Sequence, residues 1–312
     1  MNPLATRAAA PDRPLAIGLL LGVSGWAAGL FVLFFVVLLF RPDSAGQAAI
    51  SGAILLAAAW ALFMAARDGE PIFVAQLALA LSIAGQCLAL YAMTKGSHGI
   101  APVAGAALAL QSVLALAMPN RLHRTLSTLF ATIAWALTLR FALFGEPGYA
   151  PRGDAMHAVS LAAALGGWLL AWCPVAAALW WAVRKETDRV SGGGRASLAR
   201  PIVDGLIVGL AVATLASQPF ESFRWFGDGG ADAGNLALWP LLSALGALGA
   251  LAAAFALRRP GLMVLCAVAT PLHVAHFYYA LGTSLLVKSL LMLAMGAAFL
   301  AAAYVLRSKE PA

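Results

Sequence analysis

Apolar runs of roughly twenty residues follow one another along almost the whole chain, separated by short polar stretches. That pattern leaves few folds open. A run of this length is long enough to cross a bilayer as a helix, whereas a membrane strand needs only about ten alternating residues. Composition agrees, with 62% hydrophobic and 11% charged residues. A soluble domain carries about 25% charged residues and has no means of hiding this much apolar surface. In lipid every backbone N–H and C=O must be paired inside the structure, so continuous runs become helices. The expected fold is an all-α, polytopic helical bundle that forms one membrane domain over residues 1–312.

Ten spans are expected: Leu15–Phe40, Ala48–Ala66, Ile72–Met93, Gly99–Met118, Thr125–Phe144, His157–Val183, Pro201–Ser217, Leu236–Leu257, Leu262–Tyr279 and Thr283–Leu306. The first is too long for a signal-peptide core and reads as an uncleaved anchor. Ala280, Leu281 and Gly282 alone separate the last two, which implies a tight hairpin or a re-entrant turn.

The charges orient this layout. With the N-terminus in the cytoplasm, the inner segments hold Arg7, Arg13, Arg67, Arg121, Arg124, Arg184, Lys185, Arg189, Arg195, Arg200, Arg258, Arg259, Arg307 and Lys309. The outer segments hold only Arg41, Lys95, Arg152 and Arg224. This is the positive-inside bias, and it puts both termini in the cytoplasm. Residues 184–200 then form a basic cytoplasmic loop suited to anionic lipid. Residues 218–235 form an acidic periplasmic loop. The glycines Gly192–Gly194 lack the strand and the G-K-[ST] ending of a phosphate loop.

Ionisable groups within spans are the functional candidates, because lipid makes them costly. Arg140 lies near the outer end of the fifth span, within reach of the interface. Asp204 follows Pro201 and reads as a first-turn acid favoured by the helix dipole. Lys288 lies about 7 Å into the last span by helical rise. His273 and His276 share one helix face, and Pro271 before them removes a backbone donor, so a kink is expected. Two histidines without a third ligand do not make a zinc site, so no metal or other cofactor is expected. Cys87, Cys173 and Cys266 lie inside apolar runs and read as small buried residues. Gly18, Gly22, Gly25 and Gly29 line one face of the first span, which lets another helix approach closely. No paired carboxylates and no G-x-S-x-G motif occur within the spans, so the chain is not expected to be an enzyme. Its dispersed basic residues give no nucleic-acid footprint.

The stretch from His276 to Leu290 contains F-Y-Y-x-L-x-x-x-L-L-x-K-S, carried by Tyr278, Tyr279, Leu281, Leu285, Leu286, Lys288 and Ser289. It resembles the closing pattern of a bacterial multi-pass inner-membrane family, domain of unknown function 4401, related to the larger group numbered 2157. The histidines lie outside that pattern. The resemblance implies an inner-membrane protein and supplies no activity. Two functions then compete. One is a membrane protein that acts with partners in the cell envelope. The other is a secondary transporter of a small solute, its substrate unknown, resembling the ten-helix drug/metabolite type. Two inverted five-helix halves would suit the latter, yet Leu15–Phe144 and His157–Leu306 show no internal similarity. A polar cavity joining Lys288, His276 and Arg140 would favour transport.

The topology is open to a direct test. A reporter fused after Ala312 is expected to show cytoplasmic activity, and one inserted at Gly229 periplasmic activity. Any other pattern refutes ten spans with both ends inside.

Overall fold

The computed structural model describes residues 15–65, 72–97, 99–145, 160–191, 199–217, 233–280 and 284–307. They form ten α-helices in chain order: α1 (Leu15–Phe40), α2 (Ala45–Ala65), α3 (Ile72–Gly96), α4 (Ile100–Ala117), α5 (Arg121–Phe144), α6 (Leu161–Ser191), α7 (Ala199–Val212), α8 (Ala233–Ala256), α9 (Pro260–Ala280) and α10 (Leu285–Arg307). A short 3-10 turn, Thr214–Ser217, follows α7. Eight of the helices, all but α7 and α10, are long and apolar enough to cross a membrane. No strand occurs among the described residues.

Local chemistry sets the helix ends. The Ser44 hydroxyl accepts from the Gln47 amide at 3.2 Å while the Gln47 side chain accepts from the Ser44 amide at 3.3 Å. This reciprocal box starts α2 three residues before the expected Ala48. The Asn120 side chain caps the amide of His123 at 3.0 Å, so α5 begins at Arg121 rather than Thr125. Arg121 and Arg124 therefore lie in the first turns of a helix, not in a loop. α6 runs on to Ser191, so the first half of the expected cytoplasmic loop is helical. Most of the expected periplasmic loop, residues 218–232, lies outside the described residues, as does the turn at 281–283.

The chain divides into two compact units. The first comprises residues up to 99 together with Leu116–His123. Here α2 and α3 cross at a pair of glycines. A Cβ on Gly52 would meet the Gly85 carbonyl oxygen at 2.8 Å, and one on Gly85 would meet the Gly52 oxygen at the same distance. Leu55, Ala59, Leu81, Ala84 and Leu88 are buried around this crossing. The glycine face of α1 has an internal partner, which is α3. A Cβ on Gly25 would strike the Phe73 oxygen and Gln76 Cβ at 2.8 Å, and one on Gly29 would strike Ala80. Gly22 makes only an ordinary contact with Gln76 at 3.9 Å. Gly18 belongs to α1, but its surroundings are not among those described. The Trp26 indole donates to Gln76 Oε1 at 2.9 Å and ties the same two helices.

The second unit comprises Ile100–Ala115 and Arg124 onward. Its core gathers Trp172, Val203, Ile207, Ala247, Ala250, Ala254 and Cys266 from α6 to α9. Gly205 and Gly209 of α7 face Thr128 and Thr132 of α5; a Cβ on Gly205 would lie 2.6 Å from the Thr125 oxygen. α9 continues through Pro271 to Ala280. All three cysteines are free. Cys266 is buried as expected, whereas Cys87 and Cys173 lie on exposed faces, since a thiol is apolar enough to meet lipid.

Backbone lies against Gly52, and backbone does not yield. Gly52→Ala is expected to destabilise the protein by about 1–3 kcal/mol. Gly46 has nothing within 4 Å, so Gly46→Ala should be neutral or stabilise by up to about 1 kcal/mol through helix propensity. Thermal unfolding in detergent measures both.

Candidate functional site

α7 is the short helix of the second unit. Its length is about 21 Å, against roughly 30 Å of hydrocarbon. The α-helix stops at Val212, and the chain tightens into the 3-10 turn, with Ala213 donating to Gly209 and Ala216 to Ala213, both at 2.9 Å. The last carbonyls of an α-helix have no intrahelical donor, and within a bilayer no water replaces it. The ring of His273 fills the gap. Its Nε2 lies 2.8 Å from the Ala211 oxygen and donates to it. His273 is buried, 7% exposed, and a carbonyl partner fixes its N–H on Nε2. This histidine therefore serves first as a cap, joining α9 to the end of α7. His276, one turn further along α9, is half-buried.

The other end of α7 is held by charge. α8 ends with Arg258 at φ +52°, Arg258 N–H donating to Phe255 at 2.9 Å and Arg259 N–H to Ala254 at 3.0 Å. This is the Schellman arrangement, with an arginine in the position that favours glycine. It aims Arg259, whose guanidinium pairs with Asp204 and also donates to the Arg200 oxygen at 3.3 Å. Asp204 is thus no first-turn acid. It is the sixth residue of α7, and its charge answers Arg259 across two elements. Thr125 of α5 donates to the Pro201 oxygen at 3.2 Å and ties the same end of α7 to α5.

Lys288 lies beside Tyr278, and Tyr278 stands against Tyr279. The Lys288 ammonium lies 5.1 Å from the centroid of the Tyr278 ring, and the two tyrosines stand edge to face at 5.5 Å. Tyr279 is 80% exposed, whereas Lys288 is half-buried. Lys288 is the fourth residue of α10, about 4.5 Å from its start, shallower than the expected 7 Å. Arg140 is half-buried on α5, its guanidinium 5.2 Å from the Phe141 ring.

The first unit holds a polar cluster that sequence reading did not assemble. The Ser82 hydroxyl lies 2.6 Å from His123 Nε2, and the Gln86 amide donates to Ser82 at 3.1 Å and lies 3.4 Å from the same ring nitrogen. Phe63 packs edge-on against the imidazole at 5.8 Å. Ser82 and His123 are 0% and 1% exposed, so no substrate reaches the hydroxyl, and the cluster acts as a clasp. Its signal was the Ser82–Gln86 spacing of four within an apolar run, which puts both on one helix face. No group of three metal-ligating side chains occurs among the described residues.

A family described as Domain of unknown function (DUF4401) matches residues 14–225. The matched range ends before the Tyr278–Ser289 motif. No curated protein and no solved structure matches the chain.

The charge clamp on α7 is testable by a double-mutant cycle. Asp204→Ala is expected to cost about 1–3 kcal/mol, below the range for a fully buried pair because Asp204 is 27% exposed. The double variant Asp204→Ala/Arg259→Ala should cost less than the two single changes together, since neither charge is then left alone. Simple additivity in thermal unfolding would refute the pairing.

Proposed function

Since the chain belongs to the family described as Domain of unknown function 4401, which carries no assigned activity, we propose from its geometry that it is a multi-pass protein of a bacterial inner membrane that works by binding a membrane partner. Both termini lie in the cytoplasm on this reading, supported by the distribution of Lys and Arg, and the chain performs no covalent chemistry of its own. The observation that carries the reading is α10. Leu285, Leu286, Leu290, Leu293 and Leu300 are each between 57% and 74% exposed, and they spread over a wide arc of the helix. Such a helix gains little from packing within its own chain. It also brings a half-buried cation, Lys288, to the hairpin end, and no acid stands in its first turn. The complementary surface is an apolar transmembrane helix with a carboxylate near that end. An intramembrane cation is retained where a partner group answers it.

A second reading, transport of a small solute, is favoured by one observation. The interruption of α7, with a histidine on its freed carbonyl, is the kind of broken helix that lines binding sites in transporters.

Photo-crosslinkers at Leu286 and Leu293 are expected to yield one discrete protein adduct in intact membranes, and one at the buried Ala250 none. Lys288→Arg should preserve the adduct and Lys288→Glu should abolish it. Adducts to lipid alone, or an adduct indifferent to Lys288→Glu, would overturn the partner reading.

A further inference from the structure

Arginines from two distant parts of the second unit share one corner of it. The Arg259 guanidinium donates to the Arg200 oxygen at 3.3 Å, so the turn between α8 and α9 lies against the first residues of α7. Arg258 belongs to that turn. Arg259 is buried and committed to Asp204. Arg200 and Arg258 are exposed, and neither guanidinium has a charge or hydrogen-bond partner among the described residues. Two cations thus face outward beside a pair that is already neutral.

Three features say what they face. First, Arg258 holds φ +52°. Glycine adopts that conformation without steric cost, whereas an arginine is strained there, and such strain points to a use for the side chain. Second, two helices of membrane-spanning length, Trp239–Ala256 and Pro260–Tyr279, meet at this turn. The turn therefore lies at the depth of the lipid headgroups. Third, on the membrane side of the turn, Phe255 of α8 and Val264 of α9 are 66% and 65% exposed. A cationic corner stands above an open apolar surface.

We propose that Arg200 and Arg258 bind the phosphate of an anionic phospholipid whose acyl chains cover Phe255 and Val264. A guanidinium fork matches two phosphate oxygens. Basic sites between membrane helices take anionic headgroups in this way. A zwitterionic lipid would bring its own cation against the two arginines, so the net negative headgroup is preferred. The apolar surface selects a lipid over a soluble phosphate. The proposal goes beyond both readings above and depends neither on them nor on which side of the membrane the corner faces.

Native mass spectrometry of the intact protein, offered equal dioleoyl-phosphatidylglycerol and dioleoyl-phosphatidylcholine, tests it. The wild type is expected to retain phosphatidylglycerol severalfold over phosphatidylcholine. Arg258→Gly should bring that ratio down toward one while raising the unfolding temperature, because glycine suits the turn. Arg200→Gln should lower the ratio likewise. Lys185→Gln removes an exposed cation of α6 and should leave the ratio as in the wild type. No preference in the wild type, a preference unchanged in Arg258→Gly and Arg200→Gln, or an equal loss in Lys185→Gln would overturn the site. Displacement of the lipid by millimolar inorganic phosphate would also overturn it, by assigning the corner to a soluble anion.

Discussion

Lipid offers the backbone no hydrogen bonds, and nearly every local feature of this protein answers that constraint. Continuous helices satisfy it along their length. Their ends do not, and there the sequence places specific side chains. Ser44 with Gln47 opens α2, Asn120 opens α5, and the paired amides of Arg258 and Arg259 close α8. The end of α7 is the severe case, because it falls at depth rather than at an interface. His273 is the donor that makes an ending there tolerable.

Once backbones are satisfied, lipid gives helices no hydrophobic reason to associate, since the tails are as apolar as leucine. Association must then come from close approach and from polar ties. Gly52 against Gly85, and Gly205 and Gly209 against the α5 threonines, supply the first. Trp26 with Gln76, Ser82 with His123, and Asp204 with Arg259 supply the second. Each tie joins residues far apart in sequence, and the Trp26–Gln76 tie lies beside Gly25, where α1 and α3 come close.

This division explains what the sequence disclosed. Run length alone placed α1 at Leu15–Phe40, and the family was legible from the chain. Hydropathy failed at α5 and α2, where a polar cap extends a helix beyond its apolar run. It also failed at α7, where an apolar run reaches Ser217 but the α-helix stops at Val212. Periodicity showed that Gly25 and Gly29 share a face but not that α3 covers it. Likewise it put Ser82 beside Gln86 without pointing to His123, because a partner on another helix leaves no mark in local spacing. Lys288 was expected deeper because depth was counted from an assumed helix start, and α10 begins two residues later than that.

The two buried polar groupings differ in a way that bears on function. In the first unit Ser82, Gln86 and His123 satisfy one another, and a saturated network holds structure and offers nothing further. In the second unit His273 is committed to a carbonyl, while Ser243 keeps an unused hydroxyl at the same level of the bundle. The second unit also holds Asp204 and Arg259, which fix the start of α7, and an arginine in a backbone conformation that favours glycine. Clamped at one end and interrupted at the other, α7 is an element whose displacement would disturb several polar contacts at once. Functional change in this protein is therefore sought first at α7, ahead of the glycine-locked crossing of α2 and α3.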